Sequence, residues 1–284
     1  MDGKKSFFEL LDAKSALIVG LVGGLLGLGT LGFLVLGTLM VRGFVPVSSG
    51  TVAVVSPGVG TAPAPAVAPT APPANIVKSD RPKVELFVMS YCPYGLQMEK
   101  AYVPAWQLLK DKADMDVKFV SYAMHGLKEV EENTRQYCIQ SEQTAVFGAY
   151  LNCFTVSGDA QSCADSTGVN KNKMNACVDK TNKKFGIMEK FNDQATWLSG
   201  QFPLYPIHDD LNQKYGVQGS PTLVINGAQV DVSRTPEAVK QAICAGFNNP
   251  PAECNQTLST LAYQPGFGAG QGASAGAQAP GCGT

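Results

Sequence analysis

One stretch constrains the fold more than any other: in residues 84–95 a short apolar run leads into a cysteine, and a helical pattern follows. The run is rich in Val and Phe and stops at Ser90, which predicts a buried strand over residues 84–89. Apolar residues then recur at helical spacing, so we expect a helix over residues 94–112 with Pro104 as a kink. Cys92 is thus predicted at the first helical turn, where free N–H groups and the helix dipole favour a thiolate.

A second motif lies far along the chain: Gly-Ser-Pro-Thr at residues 219–222 opens another apolar strand, predicted over residues 222–226. Together with Cys-Pro-Tyr-Gly at residues 92–95, it resembles the active-site corner of the thioredoxin superfamily. The long helical stretch before the proline resembles the DsbA-like branch. Its cysteines also resemble the family typified by gamma-interferon-inducible lysosomal thiol reductase. The resemblance covers roughly residues 83–255.

The resemblance implies an α/β, thioredoxin-like fold and a thiol–disulfide oxidoreductase acting on protein disulfides. Cys92 would be the nucleophile, forming a mixed disulfide in an environment shaped by Pro93 and Tyr94. A cis peptide bond at Pro221 would hold a substrate strand beside the thiolate, with the backbone of Ser220 facing it.

One position departs from the family pattern of Cys-x-x-Cys, because Gly95 stands where the second cysteine is expected. Cys92 therefore needs a thiol from elsewhere to resolve a mixed disulfide, which favours isomerisation or reduction over net disulfide donation. The competing interpretation is a non-catalytic module that keeps the fold and its peptide groove. A third is a monothiol reductase of small-molecule mixed disulfides.

The eight cysteines indicate an oxidising compartment, and their spacing does not suggest a zinc site. Four of them lie in a helical insert over residues 126–200, where two disulfides would support a thin core. We favour Cys153–Cys163, which closes a short helix-to-helix loop, with Cys138–Cys177; the alternative is Cys138–Cys153 with Cys163–Cys177. Nearer the C-terminus, Cys244 and Cys254 are expected to pair.

That pairing leaves Cys92 and Cys282 unassigned. The Gly/Ala-rich tail, residues 256–284, is predicted to be disordered, and a flexible chain of roughly 20 residues spans about 25 Å. Cys282 could therefore reach Cys92 as a tethered resolving thiol. An intermolecular disulfide and no role at all are the alternatives.

The N-terminal part of the chain predicts a membrane anchor. Residues 15–41 form an uncharged stretch that is longer than the ~20 apolar residues needed to cross a bilayer. Residues 15–42 are therefore interpreted as an uncleaved signal anchor. Lysines within residues 1–14 place that end in the cytoplasm and the domain outside it, periplasmic or at the cell surface. A Pro/Ala-rich linker, residues 43–80, then leads to a domain over residues 81–255.

The other elements follow from local patterns. A second strand is predicted over residues 116–124, parallel to the first. The insert is expected to hold helices near 127–141, 143–156, 160–167, 170–184 and 187–200. A short helix over 209–216, a hairpin at Asn226-Gly227 with a returning strand over 228–232, and a helix from Thr235 to about residue 246 complete the domain.

Few other residues carry a chemical signal. His125 follows the second strand and is either a proton shuttle or a partly buried histidine, whereas His208 is predicted at the surface. Glu131 and Glu132 are expected on a solvated helix face. Near-neutral charge (formal net −1) without a basic cluster argues against nucleic acid. No metal or cofactor is expected; the implied partners are protein thiols and disulfides, the membrane, and a membrane redox protein.

Overall fold

The computed structural model describes residues 76–273 and 281–283. The predicted anchor, residues 15–42, and most of the predicted linker lie outside the described residues. Within the described ranges, no helix combines the length and the apolar character needed to span a membrane.

The centre of the domain is a four-stranded sheet in the order β2-β1-β4-β5. Strand β1 (Lys83–Val88) runs parallel to β2 (Asp114–Phe119) and antiparallel to β4 (Thr222–Ile225), which in turn pairs with β5 (Ala228–Gln229). Every residue of β1 after Lys83 is buried, as expected of a central strand covered on both faces.

Helix α1 (Pro93–Leu109) connects the two parallel strands, as the βαβ prediction requires, and it continues through Pro104. Strand β2 ends at Phe119, five residues before the predicted end, because the following residues pair with another segment. The Ala123 N–H donates to the Pro203 carbonyl at 3.0 Å, and Tyr122 forms a bridge with Leu204.

The insert between β2 and the second half of the sheet is helical, as predicted. Its helices are α2 (Leu127–Glu142), α3 (Thr144–Ser157), α4 (Ala160–Ser166), α5 (Lys171–Phe185) and α6 (Ile187–Asn192). The last one is shorter than the predicted 187–200. Asp193 ends it and caps a 3₁₀ turn, where its carboxylate accepts a hydrogen bond from Ala195 N–H at 3.1 Å.

Two disulfides hold this insert together. Of the pairings left open by the sequence, the structure contains Cys138–Cys177 and Cys153–Cys163. The first pair joins Cys138 of α2 to Cys177 of α5, and the second pair closes the turn from α3 into α4.

The second half of the sheet follows α7 (Asp209–Tyr215), which ends at Gly216 in a left-handed conformation (φ 64°). Strand β3 (Gly219–Ser220) precedes a cis Ser220–Pro221 bond, and β4 follows. The hairpin from β4 to β5 uses Asn226 (φ 49°) and Gly227 (φ 85°), as their sequence predicts. The returning strand ends at Gln229, three residues short of its predicted end.

Helix α8 (Pro236–Ala245) begins where the sequence places it. The Thr235 hydroxyl caps it by accepting a hydrogen bond from Ala238 N–H at 3.1 Å. A disulfide joins Cys244 near its end to Cys254 in a following 3₁₀ turn.

Both ends of the predicted domain extend further than expected. At the start, the Ser79 N–H already donates to Gly246 O at 2.9 Å, so part of the predicted linker is attached to the domain. At the end, the prediction of a disordered tail over residues 256–284 differs from the structure. Strand β6 (Ala262–Tyr263) pairs with β7 (Gln271–Ala273), and β8 (Cys282–Gly283) pairs with β3. Composition missed this order because side chains elsewhere in the domain hold the tail.

Candidate active site

Cys92 occupies the N-cap of α1. Its backbone is extended (φ −66°, ψ 121°), and its sulfur accepts a hydrogen bond from the Gly95 N–H at 3.3 Å. Pro93 is the first helical residue, where a missing N–H costs nothing. The sulfur of Cys92 therefore receives one of the N–H groups that a helix leaves without a partner in its first turn.

The loop that carries the cis-proline lies against this cysteine. The Cys92 sulfur is 3.4 Å from the Ser220 carbonyl oxygen, and the Ser220 hydroxyl accepts a hydrogen bond from Met89 N–H at 2.9 Å. Ser220 is 2% exposed and Cys92 is fully buried. The structure thus brings together Cys92 and the Ser220–Pro221 turn, two features about 130 residues apart in sequence.

Cys282 completes the group, because it is bonded to Cys92 across a sequence separation of 190 residues. The Cα atoms of the two cysteines are 6.0 Å apart, an ordinary distance for a disulfide. Strand β8 lies antiparallel to β3, with Cys282 opposite Ser220 and Gly283 opposite Gly219. The tail therefore places an extended strand beside the cis-proline turn.

Glycines permit this close approach. A Cβ on Gly219 would lie 2.4 Å from the Cys282 carbonyl oxygen, and a Cβ on Gly281 would lie 2.9 Å from that of Ser220. A Cβ on Gly283 would lie 3.0 Å from the Gln218 oxygen. In this register a side chain at position 281 would clash with the backbone and one at position 283 would be crowded, and both positions carry glycine in this chain.

The surroundings of the Cys92–Cys282 disulfide are apolar. The buried members of this cluster come from the sheet, from the chain after it and from Cys92 itself: Phe87, Met89, Cys92, Val120, Tyr122 and Val224. The Tyr122 hydroxyl donates to the Gln218 carbonyl at 2.7 Å, which supports β3 from the side.

Tyr94 lies under the guanidinium of Arg234, and the distance from the centre of the tyrosine ring to the guanidinium carbon is 5.6 Å. Burial lowers the pKa of Arg234 below its ordinary value, and the nearby Tyr94 opposes this.

His125 lies beside a buried carboxylate. Its Nδ1 lies 2.6 Å from Glu129 Oε2, and its hydrogen bonds within the described residues go to that carboxylate. The same carboxylate accepts from the N–H groups of Tyr91 (3.2 Å) and Met124 (2.8 Å). Glu129 thus ties the residue before Cys92 to the loop that carries His125, a role that the sequence did not indicate.

Two further predictions of exposure differ from the structure. His208 is 9% exposed, not at the surface, because its Nδ1 accepts a hydrogen bond from Phe119 N–H at 3.0 Å and its ring stacks on Phe119. Burial lowers the pKa of His208 to about 3. Glu131 is exposed as expected, but Glu132 is fully buried, and it accepts from Tyr150 Oη at 2.8 Å and from Arg135.

Another buried carboxyl, that of Glu99, lies on α1 two turns after Cys92. Burial, and then the charge of Glu132, raise the pKa of Glu99 well above its usual range. Its oxygens have no hydrogen-bond partner among the described residues. Throughout residues 76–273 and 281–283, no group of three His, Cys, Asp or Glu side chains is arranged to hold a metal ion.

No protein-family model matches the chain, and no curated protein sequence matches it. Among solved structures, it is similar to the reduced disulfide bond oxidoreductase DsbG of Mycobacterium tuberculosis (15% identity, TM-score 0.43), covering 63% of this chain and 88% of that one. It is also similar to oxidised DsbA of M. tuberculosis (14%, TM-score 0.44, covering 64% and 93%). BdbD of Bacillus subtilis is a third such structure (18%, TM-score 0.40, covering 61% and 92%).

The fold itself follows from three features of this chain: the parallel β1–β2 pair joined by α1, the cis-proline turn before β4, and the helical insert between β2 and that turn. With these features, the chain has a thioredoxin-like α/β fold with a helical insert.

Proposed function

We propose that this chain is a thiol–disulfide oxidoreductase in which Cys92 and Cys282 form the redox couple. The observation that carries the proposal is the bond between Cys92 and a cysteine whose strand pairs with Ser220, next to the cis-proline turn. Cys282 supplies the second thiol that Gly95 does not. The couple can therefore gain or lose two electrons within one chain.

In the reduced form, the Cys92 thiolate attacks a substrate disulfide. A bond forms between Cys92 Sγ and one substrate sulfur, and the other substrate sulfur leaves as a thiolate that takes up a proton. The Cys282 thiolate then attacks Cys92 Sγ, which forms the Cys92–Cys282 bond and releases the second substrate thiolate. Two electrons have passed to the substrate, and resolution by another substrate thiol instead of Cys282 would give isomerisation.

Regeneration begins at the other cysteine. In the oxidised form Cys92 is fully buried, whereas Cys282 is partly exposed. A donor thiolate therefore attacks Cys282 Sγ, and Cys92 leaves as a thiolate that the Gly95 N–H stabilises. A second donor thiol then releases Cys282. Substrate and donor thus exchange at different sulfurs of the same couple.

The substrate strand is proposed to occupy the place of β8. After reduction the edge of β3 at Gly219 and Ser220 is free to pair with an extended peptide, which brings a substrate sulfur to Cys92. Protein disulfides in extended segments are therefore the proposed substrates.

The setting is proposed from the sequence. Residues 15–42 would anchor the chain in a membrane with the domain on the extracytoplasmic side, where a membrane redox protein would act as electron donor. A reporter fused to either end of the chain, tested for protease accessibility in intact cells, would check this orientation. An accessible N-terminus would contradict it.

The test of the activity compares the full chain with Cys92→Ser and Cys282→Ser variants on a peptide disulfide. We expect turnover with the wild-type protein, none with Cys92→Ser, and a trapped covalent adduct between Cys92 and the peptide with Cys282→Ser. Equal turnover in wild-type and Cys92→Ser proteins would contradict the proposal. Retained peptide binding without turnover in any of the three proteins would favour the non-catalytic module.

A further inference from the structure

The tail does more than carry Cys282, because residues 262–273 lie across the face of α1 that follows the active cysteine. We refer to these residues as the strap. Three positions of α1 at helical spacing hold it: Pro93, Gln97 and Lys100. The Pro93 carbonyl accepts from Gly266 N–H at 2.8 Å, and Gln97 Nε2 donates to the Tyr263 carbonyl at 2.7 Å.

Lys100 makes the most contacts with the strap. Its ammonium donates to three strap carbonyls, those of Gln264 (2.8 Å), Gly266 (2.7 Å) and Gly268 (2.9 Å). The residue is only 3% exposed, so these three oxygens replace the water that a lysine ammonium normally keeps. A lysine with such partners fixes the path of the backbone that surrounds it.

An aromatic contact fixes the strap on the insert side. The Phe267 ring packs edge-on against Tyr91 and Phe154, with ring centres 5.6 and 5.4 Å apart. Nearby, Gly268 N–H donates to the Thr155 carbonyl of α3 at 3.3 Å. The strap is therefore attached both to the active-site helix and to the insert.

The proposed function supplies a reason for this attachment. Cys282 leaves Cys92 in every cycle and has to return to it, and the number of residues between the last fixed residue and Cys282 sets its effective concentration. With the strap attached, chain fixed to the domain reaches Ala273. Without the strap, the last fixed contact is that of Ser259 with Glu237.

We propose that Lys100 is a positioning residue for the redox couple, which anchors the strap and thereby holds the reduced Cys282 close to Cys92. This inference rests on the proposed function, in which Cys282 resolves the mixed disulfide. From the −3/2-power dependence on chain length, detaching the strap lowers the effective concentration of Cys282 by about two- to fourfold.

The experiment separates the two steps of the reaction with oxidised glutathione. In the first step, the Cys92 thiolate forms a bond to one glutathione sulfur and releases the other as a thiolate. In the second, Cys282 attacks Cys92 Sγ and releases the remaining glutathione. The first rate is measured in a Cys282→Ser background, and the second in the chain with both cysteines.

For Lys100→Met we expect the second rate to fall about two- to fourfold while the first stays unchanged. Gly266→Pro, which removes the N–H bound to Pro93 and cannot adopt φ 77°, is expected to have the same effect without a change in α1. Lys183→Met is the matched control, since Lys183 is exposed near the end of α5, and both rates should stay at the wild-type values.

Unchanged second-step rates in both strap variants would overturn the inference, and so would a parallel fall of both rates, which a general loss of structure would produce. Failure of the proposed function gives a different result: wild-type protein would accumulate the glutathione adduct of Cys92 without forming the bond to Cys282.

Discussion

The Ser220 hydroxyl fills the space in which a side chain at residue 95 would begin, since a Cβ built on Gly95 would lie 2.6 Å from Ser220 Oγ. That hydroxyl is held in place by the Met89 N–H, from which it accepts a hydrogen bond at 2.9 Å. Position 95 is where a Cys-x-x-Cys motif that begins at Cys92 would carry its second cysteine. The glycine and the serine are therefore linked, and the second sulfur near Cys92 comes from the tail instead.

This relationship predicts non-additive stability effects. In an ordinary helix Gly→Ala stabilises by about 1 kcal/mol, but we expect Gly95→Ala to destabilise by about 1–3 kcal/mol because of the clash with Ser220. Ser220→Ala is expected to cost about 1–3 kcal/mol, since the buried Met89 N–H loses its acceptor. In the Ser220→Ala background, Gly95→Ala should be neutral or stabilising.

Urea unfolding of the four proteins in this cycle measures the coupling. The same penalty for Gly95→Ala in both backgrounds would show that the hydroxyl of Ser220 is not what excludes a side chain at position 95.

Glu129 gives a second prediction, about the loop before the active cysteine. Glu129→Gln replaces one of the two carboxylate oxygens by an NH2 group, so either Tyr91 N–H or Met124 N–H loses its acceptor, at a cost of about 1–3 kcal/mol. Because Tyr91 precedes Cys92, we expect alkylation of reduced Cys92 to slow by about three- to tenfold through loss of positioning.

His125→Asn is the comparison for this variant. The hydrogen bonds of His125 go to Glu129, so its loss should change the alkylation rate of Cys92 by less than about twofold. A larger loss with His125→Asn than with Glu129→Gln would favour the proton-shuttle role that the sequence left open.

The sequence predicted those parts of the fold that depend on local patterns. Strand β1, the helices of the insert and the Asn226-Gly227 turn follow from periodicity and turn chemistry, and the structure contains all of them. The end of β2 was missed because residues after Phe119 pair with the chain near Pro203, a partner that no local pattern reveals.

The tail illustrates the same limit of local sequence patterns, here for the candidate active site. Its Gly/Ala composition predicts disorder, yet three of its carbonyls surround the buried ammonium of Lys100. Backbone carbonyls and one aromatic side chain, Phe267, hold this segment, so its Gly/Ala content carries little information about its order. No local pattern in the sequence singles out Glu129 or Lys100, and only their distant backbone partners identify their roles.

The two disulfides of the insert should contribute unequally to stability. On the chain-entropy model, replacing both cysteines of the Cys138–Cys177 pair by alanine costs about 4 kcal/mol, because the closed loop spans 39 residues. The Cys153–Cys163 loop spans 10 residues, and its loss costs about 3 kcal/mol. Thermal unfolding of the two variants shows which disulfide contributes more stability. A larger loss of stability without Cys153–Cys163 than without Cys138–Cys177 would contradict the prediction.

The last prediction concerns pH and follows from the buried His208, whose pKa falls from its ordinary 6.5 to about 3 in the folded chain through burial and, less, through Lys118. Between these values the unfolded chain binds a proton at His208 that the folded chain does not, so this contribution to stability is complete above pH 6.5 and is lost as the pH falls. From pH 7 to pH 5 the loss is about 2 kcal/mol. His208→Asn keeps an acceptor for Phe119 N–H but does not titrate, and other groups titrate alike in both proteins. Urea unfolding at the two pH values should therefore show a decrease smaller by about 2 kcal/mol in the variant, and equal decreases would mean that His208 becomes protonated without unfolding.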